Sequence, residues 1–236
     1  MPKKIISKQV FTLLCIVFSL FCSESIQNIV SALGILSFGI LHGANDLKIL
    51  SKKKLKNNSF LGLSFLVIYL GVVFLGIMIF YFIPGIALLT FVIVSCYHFG
   101  EQHWQDKIDY IKQPSLFYTF YGATIFLLLF FFHNSEVENV IFEISSVRIP
   151  FRIFKILLLS IGSVLLIFMF IKIKDFKLFL IETTLLIILS LLFWKGSLLF
   201  GFGLYFVLWH SIPSLNSQIK YLYGAKEHSP YKMYFK

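Results

Sequence analysis

Residues 60–82 read FLGLSFLVIYLGVVFLGIMIFYF, a run of 23 residues without one charged side chain. A bilayer core about 30 Å thick is crossed by about 20 residues of α-helix, so this run predicts a transmembrane helix. The sequence lacks the alternation of apolar and polar residues that is typical of transmembrane strands. We therefore expect an all-α, polytopic bundle. Similar apolar runs predict eight spanning helices, at 8–22, 27–47, 60–82, 85–104, 114–133, 151–173, 177–194 and 197–222.

The composition of the whole chain agrees with a membrane protein. Of its 236 residues, 58% are hydrophobic and only 14% are charged, whereas about 25% are charged in soluble chains. These values exclude a disordered chain, and three cysteines are too few for a disulfide scaffold. No linker or repeat divides the chain, so we expect one integral membrane domain over residues 1–236.

The basic residues predict the orientation of the helices. The net charge of +10 is interpreted as a topology signal rather than as a sign of a nucleic-acid partner. With both termini in the cytoplasm, 17 of the 21 Lys and Arg residues fall on the cytoplasmic side. The segment 134–150 is expected to be a long external loop with three glutamates, and Lys52–Asn58 a cytoplasmic loop. The eight-helix topology thus satisfies the positive-inside rule almost throughout, and the multi-pass chain is expected in the cell (inner or plasma) membrane.

Three histidines are predicted to lie at one depth inside the bundle. His42, His98 and His210 fall near the cytoplasmic ends of helices that all run inward, roughly 9–15 Å inside the boundary. Three imidazoles at one depth can bind one metal ion. His103 is expected nearer the cytoplasmic boundary. Two further histidines are expected at the surface, namely His133 and His228.

Polar residues accompany each of the three histidines at helical spacing. Asp46 follows His42 by four residues, Glu101 follows His98 by three, and Ser214 follows His210 by four. Such groups can accept a hydrogen bond from the second ring nitrogen of a metal-binding histidine. A histidine that merely forms a hydrogen bond across helices is the simpler alternative.

Three motifs carry a family resemblance. HGANDL at 42–47, YHFGEQH at 97–103 and GLYFVLWHSIPSL at 203–215 together resemble the Brp/Blh family of β-carotene 15,15'-dioxygenases. The resemblance implies an integral membrane, Fe(2+)-dependent enzyme that cleaves the central double bond of β-carotene with O₂ and gives two all-trans-retinal molecules. A retinal-binding rhodopsin is the expected recipient of the product.

The same resemblance implies roles for individual residues. His42, His98 and His210 match the family's histidines and would be the iron ligands, while Asp46 matches an acid in the first motif. The family commonly has a fourth histidine one turn after the last, where this chain has Ser214. We therefore expect water, His103 or a carboxylate to complete the coordination. The chain also ends soon after the last motif, so a truncated copy relative to the family is expected.

Two other functions remain open from the residues alone. The first is a bis-His haem electron carrier that uses two of the three inner histidines. The second is a transporter or proton relay that uses Asp46, Glu101 and the histidines, although no inverted repeat supports it. A desaturase is disfavoured because the sequence has no HxxHH cluster.

Overall fold

The computed structural model describes residues 2–54, 60–108, 110, 111 and 114–224. Within these ranges the chain is all-helical. The nine helices of the described ranges are α1 (Pro2–Phe21), α2 (Glu24–Lys54), α3 (Phe60–Phe82), α4 (Pro84–Trp104), α5 (Ser115–Phe132), α6 (Asn134–Ser145), α7 (Phe151–Lys172), α8 (Phe176–Lys195) and α9 (Leu198–Tyr223).

The prediction of an all-α membrane bundle is confirmed. Among the described residues, six helices are long and apolar enough to cross a bilayer, and α1 and α3 contribute shorter apolar stretches, Ile5–Phe21 and Val67–Phe82. Large apolar side chains such as Tyr81 and Phe170 are more than 70% exposed, as expected for surfaces that face lipid. The number of spans and the cytoplasmic placement of both termini stay predictions.

The prediction of a long loop at 134–150 is wrong over most of its length. Asn134–Ser145 forms helix α6, and only residues 146–150 after it are non-helical. The helix is amphipathic: Val137 is buried and Ile141 packs beside it against Leu127 and Phe154, whereas Glu136 is exposed. Helix α6 has 12 residues and is therefore too short to span a bilayer.

Helix α2 is longer than predicted. It continues to Lys54, so part of the predicted loop Lys52–Asn58 is helical, and residues 55–59 lie outside the described ranges. Lysine is a good helix former, which allows the helix to continue beyond the apolar run. The predicted cytoplasmic positions at Lys112 and at residues 225–236, including His228, also lie outside the described ranges.

Capping residues explain several helix ends. The Asp175 side chain accepts a hydrogen bond from the backbone N–H of Lys177 at the start of α8, and the Ser197 hydroxyl accepts one from Phe200 at the start of α9. Pro84 occupies the first turn of α4, where its missing N–H costs nothing. Gly224 follows α9 with φ of 87°, a conformation that glycine adopts without strain.

Helices α4 and α5 approach closely through two glycines. A side chain at Gly100 of α4 would collide with the backbone carbonyl of Tyr118, and one at Gly122 of α5 would collide with that of Cys96. Small residues allow helices in membranes to come this near each other. This reciprocal contact fixes the helix that carries His98.

Helix α9 contains a π-helical turn. Its residues Tyr205–Ser211 are π-helical, and the N–H of Ile212 bonds the carbonyl of Val207, five residues earlier. Pro213 has no N–H, and in a regular α-helix its ring would collide with the carbonyl four residues before it. Widening of the turn relieves this collision. Such turns are frequent at functional sites, and this one carries His210.

Candidate active site

The structure brings two of the three predicted ligands together. His98 of α4 and His210 of α9 have ring centroids 4.8 Å apart and planes inclined by 73°. Two imidazoles that bind one metal ion at about 2.1 Å would have centroids roughly 5 Å apart. The pair therefore fits a shared metal ion.

The ring of His210 is fixed by its aromatic surroundings. Phe99, the residue after His98, lies 4.4 Å from His210 between ring centroids, and Phe206 lies 5.6 Å away. His210 is only 3% exposed. By contrast, His98 is exposed, so one side of the pair is open to a large apolar molecule.

Helix α2 lies beside the π-helical turn. A Cβ at Gly39 would be 3.6 Å from the ring of Phe206, and the Asn45 amide donates to the side-chain oxygen of Gln218 at 3.2 Å. The two helices thus run in the same direction. Position 42, midway between Gly39 and Asn45, is therefore level with the part of α9 that contains His210.

The side chains of His42 and Asp46 lie outside the described residues, so their predicted roles stay predictions. Among the side chains that are described, no three His, Cys, Asp or Glu residues form a group able to hold a metal ion. The predicted third ligand beside His98 and His210 is therefore not among the described side chains. The register of α2 leaves His42 as the candidate.

The two other predicted neighbours have different surroundings. Glu101 accepts a hydrogen bond from the Tyr97 hydroxyl at 2.6 Å, one turn earlier on α4. Ser214 is buried, at 6% exposure, in the turn that follows His210. Their roles near the metal remain predictions.

A second ionisable cluster was missed by the sequence analysis. Glu182 of α8 is fully buried, and its two carboxylate oxygens lie 2.7 Å from His103 Nε2 and 2.7 Å from Lys107 Nζ. Burial lowers the pKa of the Lys107 ammonium, while the Glu182 carboxylate opposes that shift. Glu182 is the one acidic residue within α8, and an acid inside an apolar helix is the signal that could have revealed the cluster.

His103 thus contacts the residues of this second cluster rather than the pair of His98 and His210. Its Nε2 atom faces Glu182 and Lys107, and its ring stacks on Tyr121 with centroids 4.7 Å apart. His103 is 8% exposed, and its predicted place near the cytoplasmic boundary stays a prediction. His133 was expected to be solvated at the surface, but its side chain is 10% exposed and contacts Glu136 at 3.1 Å.

The interior beside His210 is filled. The apolar gap lined by Phe99, Phe126, Phe202 and Tyr205, among others, has a volume of about 10 Å³. That is about the space of one water molecule. This gap is too small for a polyene, whereas the His98 side of the pair is exposed.

The geometry of the pair argues against one of the alternative functions. Two histidines on opposite faces of a haem would have ring centroids roughly 6 Å apart with the macrocycle between them. His98 and His210 are 4.8 Å apart and in ring contact. This pair therefore leaves no room for a haem between its members.

Fold and site together define an all-helical membrane protein with two imidazoles in contact within its bundle. The chain belongs to the family described as beta-carotene 15,15'-dioxygenase, whose family model matches residues 33–236. The match confirms the family resemblance seen in the three histidine motifs. Family membership supports a carotenoid-cleaving dioxygenase activity with β-carotene as substrate. No curated protein and no solved structure matches the chain.

Proposed function

We propose that this protein cleaves β-carotene at its central 15,15' double bond with O₂, in a reaction that depends on Fe(2+), and releases two molecules of all-trans-retinal. The observation that carries the proposal is the contact between His98 and His210 in a chain of this family. The carbon–carbon double bond breaks and each of its carbons gains one oxygen atom. Both atoms of O₂ are thereby used, and no further reductant is required.

His98 and His210, with His42 as the third ligand, would hold the iron. Imidazole nitrogens suit Fe(2+), and three of them leave positions for O₂, whose activation is the chemistry that the metal supplies. Asp46 and Glu101 are candidates to orient the imidazoles. Ser214 is too weak a ligand to replace the fourth histidine and would at most bond a water molecule or an imidazole.

The aromatic residues around His98 and His210 would position the substrate. Phe206 contacts Phe202 at 5.8 Å and Phe99 at 6.2 Å between ring centroids, and all three adjoin His210 or its turn. These rings exclude water from the pair, and the partly exposed rings of Phe202 and Phe206 offer an apolar surface along which a polyene can lie. Because His98 is exposed, the substrate would enter sideways from the lipid, where β-carotene is dissolved.

The cellular setting follows from the reaction. A multi-pass protein in the cell (inner or plasma) membrane meets both the carotenoid and dissolved O₂. Retinal released into the same bilayer could pass to a retinal-binding rhodopsin. The haem carrier and the transporter fit less well, the first because of the His98–His210 distance and the second because of family membership.

The direct test is expression in cells that make β-carotene, followed by extraction and chromatography of retinoids. Retinal should accumulate and β-carotene should fall, with two retinal molecules formed for each β-carotene lost. The variant His133→Asn, altered at the outer end of α5, serves as the matched control and should behave as the wild type. Accumulation of apocarotenals of unequal length would refute central cleavage.

A further inference from the structure

The buried cluster on α8 holds one histidine ring in a fixed orientation. Nε2 of His103 lies 2.7 Å from Glu182, and one face of the ring stacks on Tyr121 with an interplanar angle of 16°. Glu182 and His103 belong to different helices, α8 and α4, and both are buried. The ring of His103 is therefore clamped where α4, α5 and α8 meet.

The clamped ring reaches the helix that carries His210. His103 lies 6.0 Å from Trp209 between ring centroids, and Trp209 directly precedes His210. On α1, the Thr12 hydroxyl accepts a hydrogen bond from the Trp209 indole N–H at 3.2 Å, and the Lys8 ammonium lies 5.3 Å from the indole ring. Trp209 is thus held between α1 and the His103 ring.

Because Trp209 lies in the π-helical turn, its contacts affect how the residues of that turn are oriented. Pro213 removes one backbone hydrogen bond just after the turn, so the rotation of residues 205–211 depends more on their side-chain contacts. Trp209 and His210 are adjacent in this turn. A change in the position of Trp209 would accordingly turn the ring of His210 relative to His98.

The cost of burying the charges of Glu182 and Lys107 indicates that this cluster does more than stabilise the fold. Burial of a carboxylate and an ammonium carries a desolvation cost, and apolar replacements of such pairs are often neutral or stabilising. His103 is also turned toward Glu182 rather than offered as a ligand. We propose that His103, clamped by Glu182, is a positioning residue that sets the direction of the His210 ring through Trp209. The identity of the ion that His210 binds rests on the proposed function. The effect of His103 on the direction of the His210 ring does not depend on it.

Two variants separate this role from simple structural support. His103→Asn removes the ring beside Trp209, and Thr12→Val removes the acceptor of the indole N–H while keeping the side-chain shape. His133→Asn, at the outer end of α5, is the control. Fe(2+) affinity is measured by chelator competition, and the arrangement of the nitrogen ligands is read from the electron paramagnetic resonance spectrum of bound Cu²⁺.

His103→Asn should weaken Fe(2+) binding by about tenfold or more and alter the Cu²⁺ spectrum, as loss of a supporting partner does at metal sites. Thr12→Val should shift both in the same direction by a smaller amount, and the control should shift neither. A folded His103→Asn protein with wild-type affinity and spectrum would overturn the proposal. If His103→Asn does not fold, Thr12→Val decides alone, and a wild-type result for it overturns the proposal.

A metal-free measurement keeps this inference separate from the proposed function. If the wild type binds neither ion, the iron-dependent function fails. In that case the relative position of residues 98 and 210 is measured in the double variant His98→Cys, His210→Cys. The measured quantity is the rate at which a short bismaleimide cross-links the two cysteines. Adding His103→Asn should slow that cross-link several-fold, and an unchanged rate would refute the positioning role.

Discussion

The ring of His98 on α4 lies across the ring of His210 on α9, with centroids 4.8 Å apart, although 112 positions separate them in the sequence. The contact depends on two local features: the close approach of α4 to α5 at Gly100, and the π-helical turn that precedes Pro213. Each feature can be changed without touching either histidine. Both therefore give tests of how the site is built.

The first prediction concerns the approach of α4 to α5. Gly100→Ala places a methyl group against the Tyr118 carbonyl, so the helices must separate and His98 must move. We expect a loss of about 2–3 kcal/mol in the free energy of unfolding, the upper range for overpacking. The measurement is denaturant unfolding in detergent. Gly71→Ala is the control, since no atom outside its own helix lies within 4 Å of a side chain there, and equal stability of the two variants would contradict the prediction.

The second prediction concerns the π-helical turn. Pro213→Ala restores a backbone N–H and removes the ring that disfavours a regular helix. The turn should relax toward α-helix and displace His210, so that Fe(2+) affinity falls while thermal stability stays equal or rises. Pro84→Ala, in the first turn of α4, is the control. Unchanged Fe(2+) affinity in Pro213→Ala would show that the turn does not place His210.

Much of the fold could be predicted from the sequence because apolar runs report directly on membrane helices. The run at 60–82 matches α3 in both bounds, and the prediction for α4 errs by one residue at its start. Helix α6 was missed because its alternation of Glu136 and Glu138 with apolar residues resembles a charged loop. An amphipathic helix that lies on a bundle shows no long apolar run.

The site could be predicted only in part, because depth can be estimated from sequence but lateral neighbours cannot. Equal depth for His98 and His210 followed from their distance to basic residues, and the structure adds that their rings touch. Sequence gave no means of pairing His103 with Glu182, since 79 positions separate them. The effect of Pro213 on the backbone was likewise visible only once the π-helical turn was seen.

The third prediction concerns the position of the family's fourth histidine. Ser214 lies one turn after His210 and is buried. Ser214→Ala should change Fe(2+) retention against a chelator only slightly, because a hydroxyl is a weak ligand, whereas Ser214→His should increase it by adding a neutral nitrogen. Loss of iron in Ser214→Ala as severe as in His210→Ala would instead make Ser214 a required ligand.

The fourth prediction concerns topology. Reporter fusions after residues 56, 110 and 226 should give cytoplasmic signals, because the basic residues cluster there. A fusion after residue 147, in the non-helical segment that follows α6, should give an external signal. Activity of a cytoplasmic reporter at residue 147 would rule out the eight-span arrangement with both termini inside.

The central claim is that the histidine pair holds iron, and metal content of the purified protein tests it most directly. We expect about one Fe(2+) per chain, because the proposed ligands His42, His98 and His210 would form a single site. His98→Ala and His210→Ala should each lose the iron and the formation of retinal, and His42→Ala should do the same, while His133→Asn keeps both. A folded His98→Ala protein with wild-type iron content and wild-type retinal formation would contradict the account.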